Sequence, residues 1–484
     1  MTRQMLILIN IILFTIFLSF SCSKNAPTVT SSENIEPICH INLPSEGSSF
    51  EIGSSIQIRV IANDEDGNIE KVKFYVDDQL KNEDTEYPFQ YFWDTIGGSN
   101  GEKVIYVEAI DDDGASASDS VTVIVGWVYQ QPEIIDDGWE TDHLDNVGLD
   151  KQNFDQLMID IHDHPEVEIH SMLIIKNGKL VFEEYFPGYD FNYNSHNFHG
   201  TYIDFDRDTP HNTHSATKSI VSTLIGIAIE QGFITSVDDS LFSYFEPYSY
   251  LMNEENGKII IEHLLTMTSG FEWNEWDVPP GDPNYDTYLF NTAPDPIEYI
   301  LSKPIITEPG TSFYYNGAGV DLLGELITRS TGIRVDHFSG QYLFGPLGIA
   351  NYEWQSLPSG LICAHGDIYL TPRSMAKYGY LLLNDGEWNG NQIVSEDWVN
   401  RSISNHVQLP PIGWAETYGY LIWRNTFQYE SNSYESFSAK GWGGQEIIVI
   451  PELDLVAVFT GASYLSDPPC DYIVQNYILP SITN

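Results

Sequence analysis

Ser215 and Lys218, in the run His214-Ser215-Ala216-Thr217-Lys218, are residues whose types and spacing could do chemistry. Residues three apart share a helix face, so the amine can reach the hydroxyl. A serine hydroxyl is a poor nucleophile until a neighbouring base takes its proton. A lysine amine can be that base if burial lowers its pKa. The pair sits at the start of a stretch that reads as a helix. Ile220, Leu224, Ile227 and Ala228 recur at helical spacing, and Val221, Ile225 and Ile229 widen the stripe. Few polar positions remain, so most of this helix should be buried, and Gly232 supplies a left-handed stop. The helix N-terminus offers unpaired N–H groups and a positive dipole end, a good place for an attacking serine and a developing oxyanion. Alone, Ser-x-x-Lys is a common chance match. The rest of the chain changes the odds.

Two further patches line up behind it. Tyr314-Tyr315-Asn316 follows Glu308-Pro309-Gly310 and precedes Gly317-Ala318-Gly319 and a helix. Gly441-Trp442-Gly443-Gly444-Gln445 opens a strand. With the flanking words THSATKSI, IIIEHLLTMTSGFEW, EPGTSFYYNGAGVDLLGELI, YLFGPLGI and LTPRSMAKYGYLLLNDGEW, the chain resembles the serine β-lactamase and penicillin-binding-protein superfamily over about residues 150–484. Within it the resemblance is to class C β-lactamases, D-alanyl carboxypeptidases, related esterases and 6-aminohexanoate-dimer hydrolases. Three ordered motifs with their spacers are far more specific than one short match.

The resemblance implies an α/β (α+β) catalytic domain, with an antiparallel sheet flanked by helices and an all-helical part. It implies Ser215 as the acylated nucleophile, Lys218 as its basic partner and Tyr314 as the general acid/base, chosen over Tyr315 by the family spacing. Asn316 matches the asparagine that hydrogen-bonds the lysine and the substrate amide. The oxyanion hole would be the backbone N–H of Ser215 and one from the third strand, that of Gln445, with Trp442 and Gly444 beside it. No metal or other cofactor is implied. The implied activity is ester or amide hydrolysis through an acyl-enzyme. D-alanyl carboxypeptidase or β-lactamase activity is one alternative, and a catalytically inactive cell-surface binding protein is another. Inactive relatives should lose Ser, Lys or Tyr, and all three are present.

One departure bears on substrate. The third motif usually carries Lys-x-Gly or His-x-Gly, whose cation meets a substrate carboxylate; here Trp442-Gly443-Gly444 stands there. Tryptophan offers a flat apolar wall and one N–H donor. This favours neutral or apolar esters and amides. Lys440, two residues earlier on the same strand face, is placed to substitute in part.

Other candidates are weaker. His211-Asn212-Thr213-His214 and His162-Asp163-His164 lack a matching ligand set at the usual spacing. Cys363 reads as a buried, bland cysteine. Gly97-Gly98-Ser99-Asn100-Gly101 fits the nucleophile-elbow pattern, but a strand follows it where that motif needs a helix, so it reads as a loop.

The elements that must position the triad are legible around it. The hairpin Met172–Ile175, Asn177-Gly178, Lys179–Phe182 carries a type I′ turn. An amphipathic helix is marked by Phe154, Leu157, Met158 and Ile161, with more helices at 261–267, 297–301, 320–330 and 374–383. Glu446–Ile450 and Leu455–Thr460 are strands that flank Pro451-Glu452. Strands at both ends with helices between them suggest a sheet flanked by helices. Upstream, residues 37–126 switch to period two, with short strands at 56–60, 72–76, 104–107 and 121–125 between acidic turns. This stretch resembles bacterial immunoglobulin-like β-sandwich modules. Its acidic turns match no full calcium loop, and turn chemistry explains them. Residues 127–149 read as a linker, 23–36 as a polar tether.

Met1 to Cys22 looks like an export signal: Arg3, an apolar run from Leu6 to Phe20, then Ser21 and Cys22, where the lipidated first residue of a bacterial lipoprotein would stand. The protein is then exported and lipid-anchored to the cell envelope. Cys39, Cys363 and Cys470 are an odd number, so no disulfide framework is implied. The net charge of −49 with only 21 basic residues excludes nucleic acid as a partner. A small-molecule ester, amide or peptide remains as the substrate class.

Overall fold

Residues 34–95, 101–127, 129–275, 278, 282 and 284–483 are described by a computed structural model. The chain divides into two compact units, with the break at residues 125–126.

The first unit is all β. One sheet holds β1 (Ile38–Leu43), β3 (Ser55–Asn63) and β6 (Gln90–Asp94). The other holds β2 (Ser49–Glu51), β8 (Ser116–Gly126), β7 (Gly101–Asp111), β4 (Ile69–Val76) and β5 (Gln79–Asp84) in that order. Alternate residues of both sheets, among them Ile56, Ile58, Val72, Phe74, Ile105 and Val107, meet in one core.

The second unit is built on one antiparallel sheet of eight strands. In chain order these are β9 (Ile169–Lys176), β10 (Lys179–Tyr185), β13 (Val407–Gln408), β14 (Thr417–Tyr418), β15 (Trp423–Tyr429), β16 (Asn432–Gly441), β17 (Gln445–Ile450) and β18 (Leu455–Gly461). Their spatial order is β10-β9-β18-β17-β16-β15-β14-β13, so the two ends of the domain meet where β9 pairs with β18. The central strands read as unbroken apolar runs because both faces are covered. Leu173, Ile175, Ile447, Val449, Val456 and Val458 enter one core. Their alternates Met172, Ile174, Ile448, Ile450, Leu455 and Ala457 enter a second core on the other face. The β9–β10 turn has φ of 52° at Asn177 and 73° at Gly178, the left-handed pair that a type I′ turn requires. A second hairpin, β11 (Pro187–Phe191) with β12 (His199–Asp204), follows it.

Four helices matter for the site: α1 (Lys151–Asp163), α2 (Thr217–Glu230), α3 (Gly317–Thr331) and α4 (Pro372–Leu383). Helix α2 is buried from Thr217 through Ala228, as its apolar composition requires. Gly226 in its middle, normally a cost of about 1 kcal/mol, is explained by Trp398: a Cβ there would lie 2.4 Å from the indole.

The stretch expected to be a linker, 127–149, is packed instead. Trp139 makes edge contacts with Tyr380 and Trp388, and Leu144 and Val147 are buried in the second unit's core. Arg373, on α4, pairs with both Asp137 and Glu183. The acidic composition of the stretch hid these scattered apolar anchors. The three cysteines among the described residues are free. Residues 1–33, with the signal and Cys22, and 97–100, with most of the rejected elbow, lie outside the described residues.

Candidate active site

A 3-10 turn, His214–Ala216, leads into α2 and carries Ser215. His214 takes φ = 45°, a left-handed value rare for a side chain of its size, and its N–H donates to Asn212 Oδ1 at 2.8 Å. This bend turns Ser215 toward the next helical turn, where Lys218 Nζ donates to Ser215 Oγ at 2.9 Å. Strand β16 ends against the same turn: a Cβ on Gly441 would lie 2.2 Å from Thr213 O and 3.2 Å from Ala216 N, so only glycine fits. The third motif is thereby brought beside Ser215.

Lys218 is 2% exposed. Burial, the largest influence, pushes its pKa down, but Tyr315, Glu275 and Asp321 together outweigh it and hold the amine above its ordinary value. Burial alone therefore does not bring the Lys218 pKa down. Its donors go to Ser215, to the carbonyl of His365 at 2.6 Å, and to Tyr315, whose hydrogen bond is among the causes of the upward shift.

Tyr314 is the tyrosine that the spacing predicts here; the structure places Tyr315 instead. The Tyr315 ring centroid lies 5.0 Å from Lys218 Nζ, stacked on Trp423 with centroids 5.8 Å apart. Tyr315 is 8% exposed and Tyr314 36%. Asn316, the next residue, is extended (φ −143°, ψ 101°) where the chain enters α3. The Tyr314 N–H donates to Met267 O at 2.7 Å.

Asn316 caps α3, its Oδ1 accepting from Gly319 N at 3.0 Å. The expected bond to Lys218 is not among its contacts. Its buried Nδ2 has no hydrogen-bond partner among the described residues. Glu275 stands behind, accepting from Gly317 N at 2.8 Å and from Trp273 Nε1 at 2.7 Å. Sequence reading missed Glu275, and no motif marks it.

Trp442 donates from Nε1 to Tyr464 O at 3.0 Å and sits in an aromatic cluster. Ring centroids of Phe198, Tyr464, His214 and Phe191 lie 4.6, 5.1, 5.8 and 6.0 Å from it. The phenylalanines come from the β11–β12 hairpin. Gly443 and Gly444 turn the chain at φ of 82° and 89°. The Gln445 side chain is committed to Gly461 O at 2.6 Å, so what it can bring to the site is backbone. Lys440 is not a substitute cation. It faces Glu446 across the β16–β17 register and is buried in ion pairs with Glu446 at 2.6 Å and Asp471 at 2.8 Å.

Neither histidine pair forms a ligand set. His162 bonds Met158 O, His164 bonds Glu166, and His211 bonds Thr460. Among the described residues, ligand-type atoms of Asp321, Cys363 and His365 lie within 4.8 Å of one another. His365 Nδ1 and Asp321 Oδ2 are 2.6 Å apart, a hydrogen bond; two ligands of a tetrahedral zinc would stand roughly 3.3 Å apart. Burial, with Asp367 and Asp321 nearby, pushes the Cys363 thiol well up, so it is no nucleophile.

The Beta-lactamase family pattern matches residues 154–466, more than half of the chain. The chain belongs to the β-lactamase family. Members of this family are serine hydrolases, and this chain is an enzyme of that kind. A Bacterial Ig domain pattern matches residues 37–123. An uncharacterised protein of Alkalihalophilus pseudofirmus is 26% identical over 332 residues, 63% of this chain and 87% of the relative. The 6-aminohexanoate-dimer hydrolase of Paenarthrobacter ureafaciens is 24% identical over 280 residues, 52% of this chain and 66% of the relative. Simvastatin synthase of Aspergillus terreus shares the fold with a TM-score of 0.52 at 17% identity, over 66% of this chain and 94% of that one.

Proposed function

We propose that this β-lactamase-family domain hydrolyses a neutral ester or amide through an acyl-enzyme on Ser215. The observation that carries the reading is the Lys218 ammonium, bonded to Ser215 Oγ and lying beside the Tyr315 ring. Lys218 and the tyrosine beside it act as one coupled acid/base pair. Tyr315 takes the Ser215 proton as Oγ bonds to the substrate carbonyl carbon. The oxyanion is held by the Ser215 N–H and a third-strand N–H, that of Gln445. As the C–O or C–N bond breaks, Tyr315 returns the proton to the leaving group. Water then repeats the sequence and releases the acid. The 6-aminohexanoate-dimer hydrolase name among the relatives fits an amide of this kind. A fluorophosphonate probe should label Ser215, read by mass spectrometry of the labelled peptide. Equal labelling of Ser215→Ala would sink the assignment.

We also propose that the protein is exported and lipid-anchored through Cys22, since an apolar run and Ser21 precede that cysteine. Cys22→Ser should release it from membranes or block its processing, read by fractionation and intact mass. Unchanged retention and mature mass would count against lipidation.

A further inference from the structure

Asp321 is 0% exposed and lies on α3, five residues after Asn316. One carboxylate oxygen accepts from the backbone N–H of Ala364 at 2.7 Å and of His365 at 3.2 Å; the other accepts from His365 Nδ1 at 2.6 Å. Three bonds from one carboxylate thus fix residues 364–365. The carbonyl of His365 is the group that accepts from Lys218 Nζ at 2.6 Å. A carbonyl free to swing would leave the ammonium free to leave Ser215.

Other groups hold the far side. Asp367 accepts from Cys363 Sγ at 3.2 Å and from Asn212 Nδ2 at 2.7 Å. Asn212 in turn accepts from the His214 N–H, which aims Ser215. Asp321 keeps the His365 imidazole charged more readily than usual, against the burial that pushes the other way. The charged groups around His365 are therefore Asp321, Asp367, Lys218 and Glu275, with the Cys363 thiol at 3.6 Å from the ring.

We propose that Asp321 and His365 are positioning residues for Lys218. They orient the His365 carbonyl so that one ammonium N–H is anchored and the other two stay aimed at Ser215 and Tyr315. Neither touches the substrate. The inference rests on the acyl-enzyme reading of Ser215 and adds the groups that hold its partner in line.

The test compares full-chain His365→Ala, His365→Asn and Asp321→Ala, with melting temperature measured for each. Asn places a donor where Nδ1 stands, so it keeps the bond to Asp321; Ala loses it. A displacement of about 1 Å in a catalytic group costs on the order of 100-fold. Asp321→Ala and His365→Ala should lower kcat and the Ser215 labelling rate about 10- to 100-fold with KM nearly unchanged, and His365→Asn should recover most of the loss. A purely structural role would lower the melting temperature without this kcat-only pattern or the Asn rescue. If Asp321→Ala does not fold, the two His365 variants decide. Folded His365→Ala that labels at the wild-type rate overturns the proposal. Absence of Ser215 labelling in the wild type overturns the acyl-enzyme reading instead.

Discussion

Tyr315→Phe should lower kcat/KM about 100- to 10,000-fold, the usual worth of a positioned general acid/base, while Tyr314→Phe leaves it within about twofold. The two side chains are adjacent and chemically identical, so the pair is a controlled comparison. Tyr315 is buried with its ring 5.0 Å from Lys218 Nζ; Tyr314 is the exposed neighbour. Losing the Tyr315 hydroxyl removes the acceptor for the Ser215 proton and the group that returns it to the leaving atom. The loss should fall on kcat, because phenylalanine keeps the stack on Trp423 and hence the shape of the site. Steady-state kinetics on one p-nitrophenyl ester measure both variants. A large loss in Tyr314→Phe with none in Tyr315→Phe would return the role to Tyr314.

Trp442→Lys should shift the ratio of kcat/KM toward carboxylate-bearing substrates by about 30- to 4,000-fold. A missing charge partner for a desolvated carboxylate costs about 2–5 kcal/mol, and each 1.4 kcal/mol is tenfold in rate. In the wild type, Trp442 lies among Phe198, Phe191, His214 and Tyr464. The nearest lysine along the strand, Lys440, is locked to Glu446 and Asp471. A substrate carboxylate there meets rings and no available cation from this strand. Short- and medium-chain esters or uncharged amides should therefore be turned over better than penicillins or D-alanyl peptides. The ratio is measured on one ester and one cephalosporin in both proteins, with Ser215 labelling as the control for folding. A wild type that already prefers the cephalosporin would remove Trp442 as the excluding group.

The sequence by itself determined the scaffold and the Ser215–Lys218 pair. Local periodicity is enough to write α2, the β9–β10 hairpin and the two strands around Pro451-Glu452, because each needs only its own residues to choose helix, turn or strand. Ser215 and Lys218 were legible for the same reason: a three-residue spacing on a helix start fixes their distance without the rest of the fold. Where the answer depended on residues far apart in the chain, only the tertiary structure decided. Which of two neighbouring tyrosines faces Lys218 depends on how the chain enters α3. The upward shift of the Lys218 pKa depends on Tyr315, Glu275 and Asp321, which reach it from other segments and together outweigh burial. Lys440 looked like a spare cation until the fold brought the carboxylates of Glu446, on β17, and Asp471 to it. Asp321 and His365 are 44 residues apart, and no spacing along the chain brings them together, yet their contact orients the lysine. Long-range electrostatics and side-chain facing are properties of packing, and no spacing rule along one strand or helix contains them.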